Sequence, residues 1–201
     1  MKTDILTLSS TGEGIDEALS LTERTGTYCG LEGKQCLHLR LIAEEMTGLL
    51  RGIAGQVEAE YWIEAEKKDF SLHLRSEVKV TPDMKDQFLS VATDGTNAAA
   101  KGVMGKIRVV IASMLTASKD ALPYAMINTA ASYPMGGNAG ESASVWSMAL
   151  YRDDVIKHRN DGEAAAEAWD ELEKSVIANV ADDVKVGVVG KKVEITATKQ
   201  F

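Results

Sequence analysis

The segment 33–53 constrains the fold of this chain more than any other part of the sequence. When its residues are placed at 100° intervals, the apolar side chains fall within one narrow stripe, which is typical of a helix that packs one face into a core. The stripe consists of Leu39, Ile42, Met46, Leu49, Leu50 and Ile53. The sequence therefore predicts an amphipathic helix that needs another layer of structure to cover its apolar face.

Strands are predicted on both sides of this helix, and they supply such a layer. Alternation of polar and apolar residues or short apolar runs between turn signals predict strands at 2–9, 58–66, 70–80, 184–189 and 193–198. Further helices are predicted at about 16–24, 83–91, 107–117 and 163–180, and 145–151 fits either a strand or a helix. This order predicts an α/β (α+β) two-layer sandwich, in which helices pack on one face of a mixed, mostly antiparallel sheet.

The composition argues against two classes of partner. Thirty acidic residues against 22 Lys and Arg give a formal net charge of −8, which disfavours nucleic-acid binding because that depends on neutralising phosphates. No apolar run approaches the ~20 residues of a membrane span, and Asp4 interrupts any signal peptide.

Cys29 and Cys36 have neither redox nor zinc spacing, so no structural metal is expected. We expect a soluble, cytoplasmic protein.

Glu45 is the first candidate for chemistry. On a helix it lies ~60° from Ile42, on the same side as Gly48 and Gly52, which offer no side chain to wall off the backbone. A carboxylate held beside such a groove could orient a water or a hydroxyl as a general base. The plainer interpretation also remains open, in which Glu45 points to water and the glycines admit a neighbouring helix.

The second candidate is the segment 101–106, Lys-Gly-Val-Met-Gly-Lys, at the head of a predicted helix. Free backbone N–H groups and the positive potential of a helix N-terminus together favour phosphate binding. Nearby basic residues, including Arg108, strengthen that interpretation. The spacing is not that of a Walker loop, however, and an ordinary helix start remains the alternative.

Taken in chain order, these features resemble the Bergerat ATP-binding fold of histidine kinases, gyrase and, nearest of all, the bacterial anti-sigma-factor serine kinases. In that family a helix carries the pattern L-x-x-x-x-E-x-x-x-N, and residues 37–50, LHLRLIAEEMTGLL, are similar to it with Glu45 at the acid. Two strands follow, and the second ends in a D-x-G-x-G box that corresponds to 74–80. A lid, a glycine-rich box matched by 101–107 and a final hairpin complete the order.

The resemblance implies ATP and Mg²⁺ as cofactors, with Glu45 as the catalytic base. The binding positions that it implies are Ser76 and Glu77 towards the adenine, and Lys101, Gly102, Gly105 and Lys106 at the phosphates. It also implies a single domain over 1–201 with an insertion at about 118–162. A regulatory protein partner and a homodimer are the associations expected of this family.

Three departures from the family pattern decide which activity the sequence predicts. Leu49 stands where the family has the asparagine that holds Mg²⁺, and leucine offers no oxygen to a hard cation. Ser76 replaces the adenine-binding aspartate, and Val78 replaces the glycine that follows. We therefore expect a divergent ATP-binding regulator with weak or no ATP turnover. Two alternatives stay open: a protein-interaction module that no longer binds nucleotide, and a small-molecule enzyme of unrelated fold.

Overall fold

The structure of the protein is a computed structural model that describes residues 1–51, 57–78, 102–116, 130–131 and 144–201. The chain divides into two compact units. Unit 1 comprises Met1–Glu77, Val176–Val184 and Glu194–Phe201, and unit 2 comprises Val78–Ser175 and Lys185–Val193. The predicted helix 83–91 and most of the predicted insertion 118–162 lie outside the described residues.

The described elements alternate between helices and strands. The strands are β1 (Leu6–Ser9), β2 (Glu58–Glu66), β3 (Asp69–Glu77), β4 (Ala130–Ala131), β5 (Ser144–Ser147), β6 (Asp183–Val189) and β7 (Lys192–Gln200). The helices are α1 (Ile15–Tyr28), α2 (Lys34–Arg51), α3 (Gly102–Thr116), α4 (Met148–His158), α5 (Glu163–Lys174) and α6 (Val176–Val180). The strands are hydrogen-bonded in the order β1-β2-β3-β7-β6-β5-β4. The pairs β1–β2, β2–β3, β4–β5 and β5–β6 are antiparallel. The predicted α+β class is confirmed.

The core of unit 1 forms around α2, as the apolar stripe predicts. The stripe residues from Leu39 to Leu50 are buried, and Leu49 is only 1% exposed. Helix α1 packs beside α2 and continues through Gly26, where the sequence had predicted that it would end. A Cβ at Gly26 would lie 3.3 Å from Leu39 Cδ2, so the glycine lets the two helices approach closely. Close packing, and not helix termination, accounts for this residue.

Strands β2 and β3 form a hairpin whose two faces differ. Tyr61 and Leu74 are paired on the helix-covered face, and both are buried. The Tyr61 hydroxyl lies 2.7 Å from Thr22 Oγ1 of α1, and burial raises the pKa of this tyrosine well above its usual value. On the opposite face, which we call the open face, Trp62 is paired with His73. The hairpin thus gives unit 1 one apolar and one charged sheet face.

Two helix predictions need correction. The predicted helix 163–180 breaks at Ser175, whose extended backbone (φ −78°, ψ 121°) separates α5 from α6. Val176, the first residue of α6, is exposed. Helix α3 begins at Gly102, five residues before the predicted start at 107.

The ambiguous segment 145–151 contains both structures that its sequence allowed. Strand β5 ends at Ser147, and α4 begins at the next residue. The Ser147 hydroxyl accepts a hydrogen bond from the backbone N–H of Leu150, at 3.3 Å, which is the usual role of a serine at a helix start. The C-terminal hairpin is confirmed, because β6 and β7 are neighbours joined by Gly190 and Lys191.

Candidate functional site

Glu45 lies on α2 in unit 1, and its side chain is half-buried at the edge of the apolar stripe. A Cβ added to the neighbouring Gly48 would meet no heavy atom within 4 Å. Within the described part of the chain, the helix surface beside Gly48 is therefore open rather than packed against another helix. Gly52, the second glycine of the predicted groove, lies outside the described residues. The arrangement leaves open space at Gly48, about one helical turn along α2 from Glu45.

Ser76 and Glu77 end strand β3, but they face opposite sides of the sheet. Ser76 is buried and paired with Ala59 on the helix-covered face. Glu77 is exposed, and the alternation of the strand places it on the open face with Arg75. Since α2 packs against β3, Ser76 belongs to the same helix-covered layer as Glu45. Glu77 does not.

The two remaining family positions are filled by core residues. Leu49 is part of the buried stripe, so no oxygen ligand is available there, and Mg²⁺ does not fit this position. Val78 is 1% exposed, and its backbone N–H donates to Lys191 O at 2.8 Å. Across the described ranges, no three His, Cys, Asp or Glu residues converge as a metal site. Leu49 and Val78 are therefore core residues of this molecule.

The glycine-rich segment belongs to unit 2, where it forms the first turn of α3. Gly102 starts the helix with φ +74°, and Gly105 is buried three residues later. The first N–H groups of a helix have no partner within it, and they attract anions. Lys106 is exposed beside them, and Arg108 Nε is buried with no hydrogen-bond partner among the described residues. This helix start could hold an anion; Lys101 lies outside the described residues.

Sequence reasoning missed an aromatic group on the open face of unit 1. The rings of Trp62 and His73 are stacked, with centroids 4.7 Å apart and planes 3° apart. Lys2 Nζ and Arg75 Cζ each lie 4.9 Å from the Trp62 ring centroid. As a result, Trp62 is only 4% exposed, although it stands on the face that the helices leave open. A tryptophan among glutamates at the polar positions of β2 was the available signal.

Ion pairs surround this aromatic stack. We define the open-face cluster as Lys2, Glu60, Trp62, Glu64, His73, Arg75 and Glu194. Glu64 accepts hydrogen bonds from Lys2 Nζ at 3.0 Å and from Trp62 Nε1 at 3.2 Å, and these two interactions lower the pKa of its carboxyl. Arg75 Nη2 donates to Glu194 Oε2 at 3.0 Å. The neighbouring His73, followed by Arg75, lowers the pKa of Glu194, while burial opposes this shift.

The chain matches no protein-family model. No curated protein is significantly similar to it. Among the described helices, none combines the length and the apolar character needed to cross a membrane. The assignment of function therefore depends on the geometry of the described residues and on the resemblance in chain order.

Replacing Leu49 by asparagine, the residue of the family motif, tests whether this position is core. We expect Leu49→Asn to lower the free energy of unfolding by about 2–5 kcal/mol, because it removes buried apolar contacts and buries an amide without a built partner. Leu37→Asn on the same helix is the matched control. Leu37 is 52% exposed, so its substitution should change stability by less than about 0.5 kcal/mol. Urea unfolding followed by circular dichroism measures both, and equal stabilities would contradict the assignment.

The lowered pKa of Glu194 predicts a specific dependence of stability on pH. A carboxyl whose pKa is lower in the folded state stabilises the fold above its unfolded pKa, and this contribution is lost as the pH falls through the folded pKa. Glu194→Gln should therefore be less stable than the parent at pH 7 and should lose less stability on acidification. Melting temperatures between about pH 7 and pH 3 measure this difference. Arg75→Gln should give a smaller effect of the same sign, and parallel curves for all three proteins would refute the prediction.

Proposed function

We propose that this chain is a divergent, cytoplasmic, regulatory relative of the histidine-kinase-like ATP-binding proteins, with weak or no ATP turnover. The observation that carries the proposal is the burial of Leu49 in the core of unit 1, at the position where the family binds its metal. Phosphoryl transfer depends on a metal ion that neutralises the phosphates and positions them for attack. Without a metal-binding side chain at position 49, there is no phosphoryl transfer for which Glu45 could act as the base.

The order of the described elements supports the family scaffold. Helix α2 carries the acid, the β2–β3 hairpin follows, α3 begins with glycines, and β6–β7 closes the chain. These are the elements that the resemblance requires, and they occur in the same order along the chain. Similar order without the metal-binding asparagine and the adenine-binding aspartate is what a regulatory descendant of an enzyme would retain.

The polar groups that remain are suited to weak nucleotide binding. In unit 1, the buried Ser76 could offer one hydroxyl hydrogen bond to a base. Loss of the metal ligand and of the aspartate should weaken binding by about 1–3 kcal/mol each. In unit 2, the start of α3 favours an anion such as a phosphate, and so does Arg108 Nε, which has no hydrogen-bond partner among the described residues.

A second candidate function is a protein-interaction module that binds no nucleotide. It is favoured by the exposed apolar side chains of unit 1, above all Tyr28, which is 80% exposed at the end of α1. The next residue, Cys29, contacts the exposed Met1, with Sγ 3.8 Å from Met1 Sδ. Exposed apolar groups that adjoin one another are typical of surfaces that bind another protein, including a second copy of the chain.

Two measurements on the full chain with millimolar ATP test the proposal. We expect no phosphate release above the protein-free blank, with or without Mg²⁺. We also expect ATP to raise the melting temperature, since binding at a hundred times Kd adds about 2.7 kcal/mol to stability. Because Leu49 supplies no metal ligand, Mg²⁺ should add nothing further through this position.

Lys106→Gln should reduce the ATP-dependent rise in melting temperature, whereas Lys157→Gln, a control at another exposed lysine of unit 2, should leave it unchanged. Rapid, Mg²⁺-dependent phosphate release by the parent that Glu45→Gln abolishes would overturn the proposal of weak or no turnover. A parent whose melting temperature does not respond to ATP would overturn nucleotide binding and favour the protein-interaction module.

A further inference from the structure

The open-face cluster has a charge imbalance that one proton would correct. Its two cations, Lys2 and Arg75, are paired with three carboxylates, those of Glu60, Glu64 and Glu194. A neutral His73 leaves one negative charge uncompensated within the cluster, whereas an imidazolium balances it. His73 is therefore the group whose protonation changes the electrostatics of this face.

The geometry around His73 provides a carboxylate for each ring nitrogen. Nε2 lies 3.9 Å from Glu64 Oε2 on β2, and Nδ1 lies 3.9 Å from Glu194 Oε1 on β7. Thr196 Oγ1, also on β7, is 3.2 Å from Nδ1. The Nε2 atom is buried and has no hydrogen-bond partner in the described part of the chain. An imidazolium donates from both nitrogens, whereas a neutral ring donates from only one, so taking up a proton changes what the ring offers to the two carboxylates.

Protonation of His73 also changes the electrostatic environment of Trp62, its aromatic partner. Trp62 is stacked on the imidazole, and the two cations at 4.9 Å from its ring, Lys2 and Arg75, oppose the arrival of a third positive charge. Glu64 and Glu194 favour that charge from β2 and β7. Among the described residues, these four charged groups around the two rings take part in the balance, and the stacked indole is positioned to report it.

We infer that His73 makes the open face of unit 1 a proton-responsive surface. Protonation links β2 to β7 through Glu64 and Glu194, and it removes the net negative charge of the open-face cluster. A partner that recognises this face by charge would then bind differently as the pH changes. This inference rests on the cluster alone and is independent of nucleotide binding.

Tryptophan fluorescence tests the inference, because an imidazolium in contact with an indole quenches its emission more strongly than a neutral imidazole does. In the parent, emission should fall through a single-proton transition as the pH is lowered from about 8 to about 5. His73→Gln should abolish the transition. His73→Phe, which keeps an aromatic ring on Trp62 but cannot take up the proton, should abolish it as well.

The matched control is His38→Gln, which removes another histidine of unit 1, on α2, and should leave the transition intact. Circular dichroism at each pH establishes that the variants stay folded. A parent without the transition would overturn the inference, as would a transition that persists in both His73 variants or that disappears in His38→Gln. In Glu194→Gln the midpoint of the transition should move to lower pH, because one carboxylate no longer favours the charged ring. An unmoved midpoint would overturn the inferred link from His73 to Glu194 on β7.

Discussion

The packing of the apolar stripe of α2 is the interaction on which the rest of unit 1 depends. The stripe is buried where α2 meets α1, β3 and α6, so this helix joins these three elements in one core. Burial of large aliphatic side chains contributes roughly 1.5–3 kcal/mol each, which makes the stripe a dominant stabilising element. Leu49 belongs to the stripe. A polar, metal-binding side chain at position 49 would therefore remove buried apolar contacts and destabilise the core.

The two faces of the β2–β3 hairpin divide the chemistry of unit 1. The covered face is apolar, and its polar groups, Ser76 and the Tyr61–Thr22 pair, are buried beneath the helices. The open face concentrates ionisable groups around Trp62, where cations and a stacked imidazole replace the cover that helices give the other side. A ligand beside Glu45 and a charged partner on the open face would therefore contact different surfaces and could be recognised independently.

Patterns local in sequence predicted much of this arrangement. The helical period of the stripe and the alternation of β2 and β3 depend only on neighbouring residues, and all three elements were predicted near their observed bounds. The role of Gly26 and the stack of Trp62 on His73 depend on contacts between residues far apart in the chain, which composition and period do not encode. The orientation of Glu77 could have been predicted, because adjacent strand residues face opposite sides of a sheet. The family pattern instead suggested that Ser76 and Glu77 both face the adenine.

Amide hydrogen exchange of α2 is the most direct test of the central claim. That claim is that the apolar stripe of α2 is a structural core that opens only when unit 1 unfolds. Backbone amides that open only when the whole unit unfolds exchange with a free energy equal to that of global unfolding, whereas locally mobile segments exchange at much lower cost. The account predicts that amides from Leu39 to Leu50 are among the slowest of unit 1 and match the stability obtained from denaturant unfolding. Exchange of these amides through local opening, several kcal/mol below global unfolding, would contradict it.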